Sequence, residues 1–593
     1  MQIGLKRPGS ARNEARFSPS KMERVMRKGR IDAVTLSPLL LLALLPAGTW
    51  LRSGLAGTAV HPGIAFLKYF CIPLVGFSLG GAVFLGSVRK NVRPRSYALQ
   101  NSTEGHYGAV LFAVSLAFFL CFSALAILRY TSLHTTAVDM GTYDNRIWRI
   151  STARLSAVPK ELATGHFQPL LIFYALIYKL SDSPVVLQFL QSAAIISGVI
   201  PLYLISKKQT EHANIALLIA LAYLFYPPVG FNSVGDFHPD HLYIPLMLWA
   251  FYFAEKDRYL KAVVFAGLGA MAKEPLILGA AFFGLYLALA KKRYKLGMAA
   301  FLFYLFLFLI VVYKILPHTN GTPIFQSGVL GGAFPFMQAH IGWIPRIKAL
   351  TGELLMRRMR KALFIFWLLA PLLFLPLLDW KRFLPAVPLL AIPVLSTVLQ
   401  HTNIDSQYTA GIVAPAFVAM VFSIKKIEKR FGFRNAAATA GLALAMVIVF
   451  SVADGPGPLS MNFWKPAWGG IWYRTNYTAG RHEKIIKKAI SMVPVDPASK
   501  VISQDNINDA RLAHRYWYSF FPDGWENADY VLLDTGRPLM AGDHVDRGTY
   551  RDGLRQLSNN PLFHLEFQKD GVLLFKRKEP PASPGTGTPG NGK

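Results

Sequence analysis

The sequence predicts a polytopic α-helical membrane protein of about 13 transmembrane helices, with a small outward-facing α/β domain near its C-terminus. Three observations lead there. Of the 593 residues, 53% are hydrophobic, and many apolar runs approach the roughly 20 residues that a helix needs to cross hydrocarbon. Clusters of Lys and Arg fall between alternate runs, as cytoplasmic loops require. From Asp454 onward the apolar runs shorten to strand length. The net charge of +30 follows from such loops lying against anionic head groups. It does not point to nucleic acid, because no basic module with interleaved aromatics accompanies it. The only cysteines, Cys71 and Cys121, lie inside apolar runs, which excludes a disulfide framework or a cysteine metal site.

Residues 1–33 are basic, from Lys6 to Arg30, and lack a small-residue cleavage site; they read as a disordered cytoplasmic tail rather than a signal peptide. Apolar runs at 34–51 and 63–86 precede the basic turn Arg89, Lys90, Arg93, Arg95. They form an N-terminal hairpin which, with its cytoplasmic loop, fills 34–107. Gly76 and Gly80 would give that hairpin a packing face. The run 108–128 then leaves the cytoplasm and opens a core spanning 108–453, so the loop 129–169 lies outside. The clusters at Lys207-Lys208, Glu255 to Arg258, Lys291 to Lys295, Asp379 to Arg382 and Lys425 to Arg430 all fall inside on that count. Leu170 to Leu180 is apolar but too short to cross, and reads as an interfacial helix. The runs 260–272 and 275–290, interrupted at Lys273-Glu274-Pro275, fit a short hairpin or one kinked helix equally.

The last apolar run, 436–453, exports the C-terminus. Gly455-Pro456-Gly457-Pro458 marks the entry to an extracytoplasmic domain, 454–578. Lys500 to Ser503, Tyr530 to Leu533 and Gly571 to Phe575 are its expected strands, with helices expected over Asn506 to Tyr516 and Thr549 to Leu557. Residues 579–593, rich in Pro and Gly, read as a disordered tail.

Polar residues at the outer ends of the spans carry the functional expectation. Asp139 and Asp144 follow an apolar run directly, and charge so close to hydrocarbon is costly unless functional or paired. Five residues apart, they share a helix face only loosely, and read as one principal carboxylate with a helper. Asp144 fits equally well as part of the cap of an interfacial helix that begins near it. Also outside are His166, the run Asp236-Phe237-His238-Pro239-Asp240-His241, the pair Lys273-Glu274, and Arg357 and Arg358 in a basic stretch that runs against the positive-inside tendency. Asp236, His238 and His241 are of the types that hold a divalent metal, but their spacing matches no named zinc motif, so no metal site is assigned and no cofactor is firmly implied. Lys273 and Glu274 fit a self-neutralising pair or a substrate contact; Arg357 and Arg358 suit an anionic ligand or lipid head groups.

The order D-x-G-x-Y-D-N-x-x-W, then G-H-F-x-P, Y-P-P, D-F-H-P and K-E-P, over Leu128 to Ile427, resembles a prokaryotic family of predicted membrane proteins, domain of unknown function 2079. Ser503-Gln504-Asp505-Asn506, Ala513-His514-Arg515 and Ala528 to Leu533 resemble the soluble end of such proteins. That family is similar in layout to the GT-C glycosyltransferases, which use polyprenyl-phosphate-linked sugars. In those enzymes the first outer loop of the core carries an essential acidic residue. The resemblance therefore implies a prokaryotic plasma-membrane protein, its N-terminus cytoplasmic by the charge count above, with Asp139 in the catalytic position, Asp144 as a second carboxylate and His166 in the segment before the next span. Asp139 is followed by Met140, where many GT-C members carry a second acidic residue. The expected activity is transfer of a sugar from a polyprenyl-phosphate donor to an acceptor at the outer face. The alternative is a transporter or flippase of an anionic lipid or solute, which the interrupted helix at Lys273-Glu274-Pro275 would suit.

Overall fold

The computed structural model describes residues 100–321, 334, 342–465, 470–537 and 547–578, all in one compact unit that begins at Leu67. The expected N-terminal tail and hairpin, residues 322–333 and 335–341 of the loop after Pro317 and the Pro/Gly-rich tail lie outside these residues.

Six described helices are long and apolar enough to cross a membrane: His106–Thr131, Pro184–Thr210, Glu274–Lys291, Tyr294–Asn320, Gln407–Phe431 and Phe433–Ala453. A seventh span results if Ala213–Phe225 and Pro227–Val234, bent by 48° between them, act as one. The bend sits at Tyr226-Pro227-Pro228, where two prolines forbid a continuous helix. The remaining apolar stretches form shorter pieces. Tyr243–Glu255 and Tyr259–Ala270 have 13 and 12 residues, and the stretch from 370 to 395 is cut into short turns by Pro371, Pro376, Pro385 and Pro388. Prolines therefore account for part of the shortfall in long helices among the described residues, while the charged turn Lys256-Asp257-Arg258 separates Tyr243–Glu255 from Tyr259–Ala270.

The helix Ala410–Phe431 lies at the centre of the bundle, buried without a break from Ala410 to Ile424. Small residues all round it let neighbouring backbones approach, which is how helices pack where no hydrophobic gain separates helix from lipid. Tyr294–Ile310 is peripheral, with Leu302, Phe303, Phe306 and Leu309 exposed as a lipid-facing surface. Its contact with Glu274–Lys291 is made backbone to backbone: a Cβ on Gly284 would lie 2.6 Å from the Gly297 carbonyl oxygen, and one on Gly297 would lie 2.6 Å from the Ala288 nitrogen.

The break at Lys273 is a hairpin. Lys273 is extended, with φ −167°, and the Arg293 guanidinium beyond the second helix stacks 4.6 Å over Tyr259 at the start of the first. Leu171–Tyr178 is the short apolar helix expected between Leu170 and Leu180.

After Asp454 the chain builds a five-stranded sheet: β1 (Val501–Ser503), β2 (Tyr518–Phe520), β3 (Tyr530–Asp534), β4 (Phe563–Lys569) and β5 (Val572–Arg577), in the order β2-β1-β3-β5-β4. β1 pairs parallel with β2 and β3, whereas β5 pairs antiparallel with β3 and β4. Side chains alternate between two covers. Val501, Leu532 and Leu574 pack with Ile485, Ile486 and Ile490 of the helix Arg481–Met492. Ile502, Val531, Leu533 and Phe575 pack with Tyr550 and Leu557 of the helix Arg547–Asn559. β1, β3 and β5 coincide with the strands read from sequence. β2 and β4 have half-exposed or exposed positions and too little apolar character to stand out. The helix expected over 506–516 shrinks to Ala510–Ala513, because Asp505 to Asp509 are used as loop contacts.

Candidate functional site

The loop after the first core helix is organised by one capped turn. Ala137–Gly141 forms a single π-helical turn, which runs on into the helix Thr142–Thr152. Thr136 caps it, its Oγ1 accepting the Asp139 N–H at 3.3 Å. Thr136 is itself held by Asp236, whose Oδ2 accepts from its backbone N–H at 2.6 Å and its hydroxyl at 2.7 Å. Arg129, at the end of the first core helix, neutralises Asp236 at 3.3 Å and stacks 4.8 Å over Trp472. Asp236 is thus a supporting residue, 8% exposed, and not a group that meets solvent.

Asp139 is different: its side chain is 47% exposed, and its Oδ1 lies 3.4 Å from His238 Nε2. Partial burial raises its carboxyl, but the charge and hydrogen bond of His238, with Lys273 and His166 adding to them, more than offset that and hold it below the ordinary carboxylate range. Burial pulls the His238 imidazole down, yet Asp139 outweighs this and leaves it above the usual value. Each group thus favours the charged form of the other. The His238 backbone is fixed by Gln191 of the helix Pro184–Ser197, whose Oε1 accepts the His238 N–H at 3.1 Å while its Nε2 donates to the Gly235 carbonyl at 2.9 Å.

Behind His238 lies a buried cation. Lys273 Nζ meets Asp240 Oδ2 at 3.3 Å, both side chains being 7% exposed, and sits 5.8 Å from the ring centroid of Tyr408. The Tyr408 ring packs against His401 at 4.1 Å. Glu274 accepts from the backbone N–H of Phe167 at 3.1 Å and pairs with His166 Nδ1 at 2.8 Å, so the two halves of Lys273-Glu274 serve different partners.

Among the residues read from sequence, Asp139, His166, His238, Lys273 and Glu274 thus gather around one polar centre. His241 points elsewhere, its Nε2 meeting the Tyr174 hydroxyl at 2.9 Å. The four polar side chains of Asp236 to His241 consequently serve different partners, and among the described residues no three His, Cys, Asp or Glu side chains converge on a metal position. Asp144 is fully buried away from solvent; its Oδ1 accepts from Tyr178 at 2.8 Å and meets His514 Nε2 at 2.9 Å. Arg357 and Arg358 are exposed, and Arg357 donates to the Thr397 carbonyl at 2.7 Å. With Arg360, which donates to the Leu399 carbonyl at 3.1 Å, Arg357 braces the segment that carries His401 and Tyr408.

Sequence reading assigns no part in the site to Arg129, Thr136, Gln191, His401, Tyr408 or Asp505. Gln191 carries a legible signal, a polar residue within an apolar run. Thr136 and Tyr408 carry none, since loop hydroxyls are common.

A family model described as predicted membrane protein, domain of unknown function 2079, matches residues 129–574. The chain belongs to this family. No curated protein matches it. Two solved structures are similar to this member of the 2079 family at low identity. One is ArnT from Cupriavidus metallidurans bound to undecaprenyl phosphate, at TM-score 0.44 and 10% identity, covering 79% of this chain and 98% of that one. The other is the archaeal oligosaccharyltransferase AglB from Archaeoglobus fulgidus in complex with an inhibitory peptide and a dolichol-phosphate, at TM-score 0.38 and 13% identity, covering 72% and 69%. The family and the apolar helices make the chain an integral membrane protein.

Proposed function

We propose that the protein is a membrane glycosyltransferase that moves a sugar from a polyprenyl-phosphate donor to an acceptor at the outer face. The observation that carries this reading is the half-exposed Asp139 carboxylate, ion-paired to His238 at 3.4 Å, beside the buried Lys273 cation. An anion held ionised aligns an acceptor hydroxyl and takes its proton as the new bond forms. The acceptor oxygen attacks the anomeric carbon, the carbon–oxygen bond to phosphate breaks, and the electron pair leaves on the phosphate. Lys273, beside the Tyr408 ring, offsets the charge that develops there. One carboxylate at the attacking side fits a single displacement with inversion. Asp144, buried and twice bonded, serves to hold the interfacial helix, and His166 orients Glu274.

The opposite end of the bundle supports the orientation. Glu255 gathers Lys291 at 3.0 Å and Arg382 at 4.0 Å, and Asp379 pairs with Lys426 at 2.9 Å. The basic clusters thus sit together at one end and Asp139 at the other, which supports reading Asp139 and the sheet domain as outward-facing.

The deciding experiment uses purified protein in lipid with a radiolabelled polyprenyl-phosphate sugar. Wild type should release free polyprenyl phosphate, and Asp139→Asn should cut the rate by about 10²–10⁴-fold while inserting normally. Full activity in that variant would sink the assignment. Vesicle flux of donor or anionic lipid without covalent change would move the transporter reading ahead.

A further inference from the structure

The acidic loop does not hold its shape alone. The first N–H groups of a helical turn have no partner within it, and here Asp505 supplies two: its carbonyl accepts the Ala137 N–H at 2.7 Å and its Oδ1 accepts the Val138 N–H at 2.9 Å. Asn508 Nδ2 donates to Thr135 Oγ1 at 2.9 Å, and its Oδ1 lies so near Gly141 that a Cβ there would come within 2.8 Å of it. Two residues of the sheet domain therefore grip the loop on both sides of Asp139. Both are buried, Asp505 at 6% and Asn508 at 1% exposed. Asp505 follows the carboxyl end of β1, the end of parallel strands at which loop residues are free to meet a partner.

A second contact fixes the direction of the helix that follows. Asn145 Nδ2 donates to the Ala513 carbonyl at 2.5 Å and the Arg515 carbonyl at 2.8 Å. His514 meets Asp144 and stacks on Trp148, centroids 5.5 Å apart and planes 11° from parallel. Leu133, from the membrane side, enters the core of the sheet domain. Packing alone would be served by apolar side chains. A buried carboxylate aimed at backbone donors next to Asp139 is costly without a geometric purpose.

We infer that the sheet domain is a working part of the acidic-loop site, with Asp505 and Asn508 as positioning residues that set the direction of Asp139. The catalytic consequence rests on the proposed glycosyl transfer; the hold on the loop does not.

The test compares full-length protein in lipid nanodiscs: wild type, Asp505→Ala, Asn508→Ala, Asp505→Asn, and Leu557→Ala as a stability control from the far side of the sheet. Hydrogen exchange over residues 134–142 and turnover of a radiolabelled polyprenyl-phosphate sugar are both read. Asp505→Ala and Asn508→Ala should each speed loop exchange by at least about tenfold. They should also lower kcat by about 10–100-fold with the donor KM nearly unchanged. Asp505→Asn keeps an oxygen that accepts the Val138 N–H and should restore most of both. Leu557→Ala should lower the melting temperature and leave loop exchange and kcat in place. Unchanged loop exchange in both alanine variants overturns the inference, and so does an equal effect from Leu557→Ala. If wild type shows no turnover, glycosyl transfer fails, and the exchange data alone decide the hold on the loop.

Discussion

Exposure separates the carboxylates of this site, and it decides what replacing each should do. Asp139 is half exposed, and on the proposed reaction its replacement should cost turnover; Asp240 and Asp236 are buried opposite cations, and their replacement should cost stability. Lys273→Met leaves Asp240 buried without its partner and should destabilise the protein by about 3–5 kcal/mol, read as a fall in melting temperature in detergent. Adding Asp240→Leu should recover most of that loss while turnover stays low, which separates the fold from the reaction. Asp505 gives a pH dependence. Burial, with Asp139 and Asp236 nearby, raises its carboxyl to about 7 against hydrogen bonds from the Val138 and Ala137 N–H groups. Its folded value exceeds the ordinary 3.8, so its contribution to stability is complete below about pH 4 and is lost as pH rises through about 7. The difference in melting temperature between wild type and Asp505→Asn should therefore shift against wild type between pH 4 and pH 8; a constant difference would refute this. Asp139 is legible in the sequence because a carboxylate against an apolar run is conspicuous. Asp505 has no role legible there: its partner Val138 is 367 positions away, and its local pattern is that of any loop after a short strand.

Among the elements, the helix pair Glu274–Lys291 and Tyr294–Ile310 shows how closeness depends on single atoms. At Gly284 a side chain would meet backbone, not a flexible side-chain tip. Gly284→Val should cost about 1–3 kcal/mol through overpacking, whereas Gly441→Ala, with nothing within 4 Å of the added carbon, should leave the melting temperature unchanged. Gly284 stands in a small-xxx-small run with Ala280 and Ala288 in its own helix, which marks a packing face, whereas Gly297 has Arg293 and Phe301 four positions away, so the sequence advertises only one side of this contact. The hairpin at Lys273 stays ambiguous in sequence for a related reason: a proline after a charged pair ends one helix and begins another, and only the contact of Arg293 with Tyr259 tells the direction of return. The strands β1, β3 and β5 are legible because they are buried on both faces and read as continuous apolar runs; β2 and β4, at the edges, are not.

At the level of the whole molecule, the two charged ends make a topology prediction. In a background with Cys71→Ser and Cys121→Ser, Asp523→Cys should react with a membrane-impermeant maleimide in intact cells. Lys256→Cys should react only after permeabilisation. The reverse pattern would invert the protein and remove Asp139 from the outer face.

The hold of Asp505 on a loop 367 positions earlier also has a bearing on biogenesis. At roughly 5–20 residues per second, the ribosome reaches Asp505 about 20–70 s after Val138. During that interval the acidic turn has emerged with the Ala137 and Val138 N–H groups unclaimed, held by Thr136, Asp236 and His238 alone. A chain terminated before Asp505 should therefore insert with the acidic loop less firmly held, and on the proposed glycosyl transfer it should turn over more slowly than the full-length protein.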